Sequence, residues 1–409
     1  MLRNPDRKSN ACLFKSNAQG CDPLTSVAML RDRVDPRTYK IRGALIDAGQ
    51  SSSEFVRLDA YHPMFGQYAS AADTHAYRFY YDGRAYEFVL RHLELPNAAS
   101  YARFSMRLAR EGFRVLHCNS VTEHLSAGMI RWGRLPVVTE VYDLTSLYEV
   151  TNIRTLFTRK GRRLRGPRKW MLDHVIRNVL RWEREAHQQA AGLVYTSRHM
   201  LDYARSEYSI SCPSVVIPNA VYGKLLPHEA DPDKLSLIEG GLHLVYTGVI
   251  RDSESGHHRD ICDQLDKISQ GDVITHIYPI IPEPERDRVV RRLRGNNQIR
   301  WHEPLPYHEL YRELGRYDAG LVLLAHHDAA LLDLALPNKI FEYVAAGLPV
   351  LVSPYKPLLE FIRDYDCGQP LDQLGDAASF HPHRVPFREE FTIEHYIPEL
   401  ISLYDSIGR

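Results

Sequence analysis

Cysteine is scarce and scattered. The chain has six in 409 residues (Cys12, Cys21, Cys118, Cys212, Cys262 and Cys367), with no C-x-x-C pair and no zinc-type spacing. A disulfide framework is therefore excluded, and reduced thiols in a cytosolic protein are expected. No apolar run approaches the roughly eighteen residues of a membrane-spanning helix. The opening MLRNPDRKSNACLF lacks the apolar centre of a secretory leader. Net charge is also missing: 51 basic residues meet 51 acidic ones. The whole molecule thus has no nucleic-acid signature, and any electrostatic targeting must come from a local patch.

What is present is ordinary for a globular protein, with 44% hydrophobic and 25% charged residues. The length predicts two domains. Strand-like and helix-like segments alternate, which predicts α/β architecture with parallel sheets. In the first half, strands are expected at Ala11–Lys15, Tyr39–Ile46, Arg114–His117, Leu135–Val141, Gly192–Tyr195 and Ser214–Ile217. Ser16–Cys21 reads as a loop, and Asp22-Pro23 as the start of a helix to about Arg33. The Tyr-, His- and Ser-rich stretch Gln50–Tyr86 reads as irregular. Helices are expected at Ala99–Glu111, Trp170–Ala190 and His199–Glu207. The polar run YGKLLPHEADPDK suggests an interdomain linker. The second half repeats the alternation and ends in a helical tail over Ile393–Ile407. The expected division is a domain over 1–221, a linker over 222–238, a domain over 239–385 and a tail over 386–409 that returns to the first domain.

The most informative stretch is LPNKIFEYVAAGLPVLV, Leu336 to Val352. Pro337 suits a helix start, where its missing N–H costs nothing. Ile340, Phe341, Val344 and Ala345 share one helical face. Gly347 can take the left-handed conformation that ends a helix, and Pro349 follows as a breaker. Val350–Val352 is an apolar run suited to a strand covered on both faces. Lys339 and Glu342, three apart, share a side of the helix. A cation near a helix start can meet a phosphate, and a carboxylate one turn on can accept two ribose hydroxyls. An isolated K-x-x-E would more simply be a solvated ion pair; the flanking string sets this one apart.

The segment resembles the donor-nucleotide motif of GT-B glycosyltransferases, especially glycosyltransferase family 4, which commonly reads P-x-K-x-x-E-Y-x-A-A-G-x-P. Further strings resemble that family in order: HCNSVTEHLSAG, VVTEVYDL, LVYTSRHM, VVIPNAV, HLVYTGVIRD and HEPLPYHELYRELGRYDAGLVLL. They span about residues 110–370. The resemblance implies a GT-B fold, two Rossmann-like domains with parallel sheets facing across a cleft. It also implies retaining transfer of a sugar from a nucleotide diphosphate sugar to a glycan or lipid-linked acceptor, in cell-surface polysaccharide synthesis. Two departures stand out. The first of the family's two glutamates, eight residues before Glu342, is Leu334, and a common His is Tyr142. They keep two alternatives open, a GT-B nucleotide-sugar epimerase and a non-catalytic GT-B-like scaffold subunit.

The chemistry needs charge stabilisation at the leaving diphosphate, a grip on the ribose and a placed acceptor hydroxyl. Gly248 can admit a phosphate close to the backbone. Arg251 is the candidate guanidinium fork, Arg259 a second one, and Lys339 the point charge. Glu342 is the ribose acceptor. Asp143, Tyr142 and His117 are the first-domain candidates to position acceptor or sugar, since strand C-termini face the ligand crevice. Asn219 reads as a turn former. Asp231 with Asp233 and Asp364 with Asp366 have D-x-D spacing but lie in the linker and beyond the motif. No metal and no cofactor are expected.

One charged patch does appear. Seven of the eleven residues from Arg159 to Lys169 are basic: Arg159, Lys160, Arg162, Arg163, Arg165, Arg168 and Lys169. The following helix interleaves Trp170, Leu172, Val175, Ile176, Val179, Leu180 and Trp182 with His and Arg. This composition suits an anionic membrane surface, on the cytoplasmic side. No stacking module for nucleic acid accompanies it.

Overall fold

The structure is a computed structural model that describes residues 26–31, 36–50, 52–57, 74–77, 98–119, 123–148, 150, 165–227, 233–252, 258–282, 285–325, 329–374, 380 and 382–408. The expected strand Ala11–Lys15, the loop Ser16–Cys21 and the helix start at Asp22-Pro23 lie outside these residues.

Two parallel sheets organise the chain. The first contains β1 (Val27–Arg31), β2 (Ser52–Arg57), β3 (Thr74–Tyr77), β4 (Val115–Asn119), β5 (Val137–Val141), β6 (Gly192–Tyr195) and β7 (Ser214–Val216), in the order β3-β2-β1-β4-β5-β6-β7. The second contains β8 (Leu242–Val249), β9 (Val273–Ile280), β10 (Ile299–Trp301), β11 (Ala319–Val322), β12 (Val350–Val352) and β13 (Gly368–Pro370), in the order β10-β9-β8-β11-β12-β13. Among the described residues all pairings within both sheets are parallel. Each sheet starts in its middle, winds to one edge, then crosses to the other side. The order reverses between β1 and β4 and again between β8 and β11, and such reversals open ligand crevices at the strands' carboxyl ends.

Helices alternate with these strands: α1 (Pro36–Asp47), α2 (Ala98–Arg110), α3 (His124–Trp132), α4 (Pro167–Gln189), α5 (Arg198–Glu207), α6 (Leu235–Glu239), α7 (Cys262–Ile268), α8 (Arg286–Leu293), α9 (Tyr307–Leu314), α10 (Ala329–Leu332), α11 (Asn338–Ala345), α12 (Lys356–Tyr365) and α13 (Ile397–Ile407). Val115, Leu116, Val138, Leu193, Val194, Val350, Leu351 and Val352 have no exposed surface, as expected for strands covered on both faces.

Three expectations for the first hundred residues are corrected. Tyr39–Ile46 is part of α1, not a strand. Its Tyr-Lys-Ile-Arg alternation suggests period two, but Ile41, Ala44 and Leu45 form the buried face at helical spacing. The helix expected up to Arg33 is instead interrupted by β1, whose Val27, Ala28, Met29 and Leu30 are buried between β2 and β4. The stretch Gln50–Tyr86 contributes two strands, β2 and β3.

The tail crosses back to the first domain. Leu400 and Tyr404 of α13 are fully buried, and Leu403 lies so close to Gly192 that an added Cβ would stand 2.9 Å from it. Burying each such side chain stabilises by roughly 1.5–3 kcal/mol. Short backbone links join the same parts: Val221 N–H donates to Phe391 O and Ile393 N–H to Val221 O. A single apolar cluster therefore runs from Val27 and Ile41 through Leu403 to Val344 and Val350.

At one point the core of the second domain depends on a missing side chain. A Cβ on Gly320 in β11 would stand 2.2 Å from the Tyr343 ring of α11. The ring is fully buried, and its hydroxyl accepts the Thr247 N–H at 2.9 Å. Gly320→Ala should destabilise by about 1–3 kcal/mol through overpacking, read as a lower melting midpoint; an unchanged midpoint would show that α11 can shift freely.

Candidate functional site

The site assembles where β8, α11 and the loop after β8 meet. Gly248, the next-to-last residue of β8, is at φ +114°, a conformation that disfavours side chains. An added Cβ there would face Lys339 Nζ at 3.7 Å. Lys339, partly buried, reaches back from the first turn of α11 with its ammonium 3.6 Å from the centre of the Tyr246 ring. Glu342 follows one turn on and is only 5% exposed. The structure therefore brings Gly248, Lys339 and Glu342 together.

The charges here act on one another. Lys339 is held well below its usual lysine range, first by burial and then by Arg259, while Glu342 opposes the shift. Burial of an ammonium beside a second cation disfavours its charged form. Arg259 is exposed, and its Nε donates to His258 Nε2 at 3.2 Å. Arg251 is not the free fork anticipated: its Nη2 pairs with Glu285 Oε1 at 3.0 Å. Its Nε is buried and finds no acceptor among the described residues.

The first-domain candidates divide. Tyr142 and Asp143 follow β5, half-buried, with the Arg37 guanidinium 5.6 Å from the Tyr142 ring centre. The loop they open approaches the nucleotide-side loop, where the Tyr148 and His258 rings lie 5.8 Å apart. His117 stands elsewhere. It sits within β4 at 1% exposure, with Nδ1 2.5 Å from the Tyr404 hydroxyl of the tail. Its position is that of a core hydrogen bond rather than of a crevice residue.

The residue in place of the family's first glutamate, Leu334, packs against Val141, Leu144, Tyr195 and Met200 of the first domain. Nothing in the sequence signals a second cluster beside it. Arg37, 3% exposed, donates from Nε to Glu140 Oε1 at 2.5 Å, from Nη2 to Ile217 O at 2.7 Å and from Nη1 to Pro218 O at 2.8 Å. Asn119 completes the Glu140 carboxylate from Nδ2 at 2.9 Å.

Other expectations meet mixed outcomes. Of the basic run, Arg159, Lys160, Arg162 and Arg163 lie outside the described residues, as does the side chain of Arg168. Arg165 and Lys169 are exposed, and Lys169 pairs with Asp173 at 2.6 Å. The apolar residues expected to edge a lipid face are largely core: Leu172, Val175, Val179 and Trp182 pack with Ala127 and Val150. Trp170 alone of that set is strongly exposed, at 60%, stacked on His174. No helix among the described residues is long and apolar enough to cross a membrane. Asp364 pairs with Arg363 on the surface, and Asp366 is the left-handed residue closing α12. Cys118, Cys262 and Cys367 are free and buried, and burial pushes the latter two thiols up to about 12.

Comparison with known proteins bears on this geometry. The model of Glycosyltransferase Family 4 matches residues 63–222. The solved structure of WaaG, a glycosyltransferase involved in lipopolysaccharide biosynthesis, superposes with a TM-score of 0.57 at 14% identity, covering 93% of this chain and 98% of WaaG. The chain has the two-domain GT-B fold, and residues 63–222 match the family 4 model. Two further GT-B structures are similar to it. Sucrose-phosphate synthase from Thermosynechococcus elongatus gives a TM-score of 0.55 at 13% identity, over 94% of this chain and 92% of that one. HepE of Anabaena, solved with UDP and glucose, gives 0.55 at 14% identity, over 94% and 97%. No curated protein matches the sequence. The family match covers the first domain, whereas the Lys339–Glu342 motif lies in the second, so the two lines of resemblance are independent of each other.

Proposed function

We propose that this protein transfers a sugar, with retention, from a nucleotide diphosphate sugar to a glycan or lipid-linked acceptor. The observation that carries the reading is the Lys339 ammonium set against Gly248 one turn before the buried Glu342 carboxylate, with Arg259 as a second cation acting on it. A diphosphate would relieve the crowding of Lys339 and Arg259. It would also offer an acceptor to the orphaned Arg251 Nε. The N-terminal N–H groups of α11 add to the same field. Glu342 would accept the ribose hydroxyls. In this reading no metal takes part, and the leaving phosphate helps deprotonate the acceptor, so Asp143 and Tyr142 position rather than ionise.

The test is a panel of nucleotide diphosphates screened by melting temperature. A ligand at a hundred times its dissociation constant stabilises by about 2.7 kcal/mol, so a true donor nucleotide should give a clear upward shift. A flat response across uridine, guanosine and adenosine diphosphates would favour the scaffold alternative. Release of a 2-epimer from the pure donor would favour the epimerase.

The acceptor side is proposed to work at an anionic membrane surface in cell-surface polysaccharide synthesis, with the protein peripheral on the cytoplasmic face. Support comes from the basic run that leads into α4 and from exposed Trp170 at its edge. Replacing Arg159, Lys160, Arg162, Arg163, Arg165, Arg168 and Lys169 with glutamine should abolish flotation with phosphatidylglycerol vesicles. Each basic residue near such a surface contributes about 1 kcal/mol, so seven changes far exceed what residual contacts could mask. Flotation that is indifferent to the change would remove this element.

A further inference from the structure

We propose that Asn219 is a positioning residue which straps the start of the nucleotide-binding helix α11 to the first domain. The inference rests on the proposed transfer reaction for its kinetic consequence, though not for its structural one.

Asn219 stands just after β7, where the chain leaves the first domain. Its Oδ1 accepts from Arg37 Nη1 at 3.2 Å, and its Nδ2 donates to Leu336 O at 2.9 Å. A guanidinium can only donate and a carbonyl can only accept, so the amide has one workable orientation. Arg37 is itself fixed by the Ile217 and Pro218 carbonyls and by Glu140. The amide is therefore oriented from the first-domain side before it reaches across.

Two residues upstream, Leu334 anchors the same segment. Its side chain lies among Val141, Leu144, Tyr195 and Met200, and its carbonyl accepts the Ser197 hydroxyl. Leu334 and Leu336 thus hold the segment to the first domain by an apolar plug and two hydrogen bonds. α11 begins directly after it, at Asn338, and carries Lys339 and Glu342. These side chains belong to the second domain, yet the backbone entering their helix is held by the first.

The division of labour follows. Gly248, Arg251, Arg259, Lys339 and Glu342 all lie on the second domain, so nucleotide binding does not require the strap. Delivery of the sugar to Asp143 and Tyr142 does, because the strap sets the distance between the two walls. Misplacing reacting groups by about 1 Å can lower a rate by about a hundredfold.

Asn219→Asp isolates the cross-domain bond. It keeps the Oδ1 contact with Arg37, deletes the donor and sets a carboxylate oxygen against Leu336 O. The radius of gyration from small-angle scattering should rise relative to the wild type. The melting shift produced by uridine diphosphate should stay the same. With UDP-glucose as probe, nucleotide release should lose between about tenfold and a hundredfold in kcat at unchanged KM. Leu334→Ala, which removes the plug by different chemistry, should give the same split and carries the test if the first variant fails to fold. An unchanged radius of gyration overturns the strap, and so does a nucleotide shift lost together with turnover. If the wild type shows no nucleotide shift at all, the proposed reaction fails, and scattering alone decides the strap.

Discussion

Glu342→Ala should abolish nucleotide recognition while leaving the fold intact. The carboxylate is buried, and hydrogen bonds to a charged acceptor contribute about 1.5–3 kcal/mol each. Losing two ribose hydroxyl contacts should therefore lower affinity by about a hundredfold or more. Lys339→Ala removes the point charge at the diphosphate and should cost about tenfold to a hundredfold. Neither change should lower the melting midpoint of the nucleotide-free protein. Lys339 is an ammonium held in a place that disfavours its charge. Titration calorimetry with the nucleotide that shifts the wild type most would check both. Wild-type affinity in the two variants would remove Lys339 and Glu342 from the site.

The same lysine gives the binding a pH signature with a definite sign. Burial and Arg259 lower its proton affinity in the empty protein, and a bound diphosphate would raise it again. The complex then holds more protons than its parts, so binding takes up protons and affinity falls as pH rises through the empty-site value. Calorimetry in two buffers of different ionisation enthalpy should show net uptake; proton release would contradict the arrangement. For folding the sign is opposite in origin. The unfolded chain protonates this lysine where the native chain does not, so stability rises with pH between the lowered native value and the ordinary lysine value. Lys339→Met should accordingly raise the melting midpoint of the empty protein at neutral pH.

Legibility in the sequence followed the locality of the forces. The α11 unit reads almost residue by residue because its determinants are neighbours: Pro337 caps the start, Gly347 at φ +79° ends the turn, and Val350–Val352 pairs between β11 and β13. Gly192–Tyr195, Ile299–Trp301 and Tyr307–Leu314 stand where their apolar spacing places them. The failures are non-local. Lys40 and Arg42, polar in the sequence, are buried in α1, so the apparent strand alternation there was false. Arg251 meets Glu285, which is 34 positions away, and no local pattern announces that partner. His117 was placed near the crevice by its strand, but the tail residue Tyr404 claims it. Asn219 reads as a turn residue, and only the second domain's Leu336 reveals its outward bond.

The largest stability effect should come from a residue with no signature at all in the sequence. Arg37 and Glu140 are separated by 103 positions, and their side chains are 4% and 0% exposed. Arg37→Met would take the guanidinium away from the buried Glu140 carboxylate, which also meets Asn119 and His117, and would leave the Ile217 and Pro218 carbonyls without it. Breaking a buried pair from one side costs about 3–5 kcal/mol, mostly through the charge left behind. Removing both charges is far milder, since a buried pair adds little net stability over neutral groups of similar shape. The double variant Arg37→Met/Glu140→Gln should therefore recover most of the loss, because the neutral amide needs no countercharge. Thermal melts of the wild type, both single variants and the double form a complete cycle. The expected coupling is strongly favourable to the double change. If the two losses simply add, Glu140 is not held as an anion by Arg37, and the domain crossover at Ile217–Asn219 is fixed by its own backbone instead.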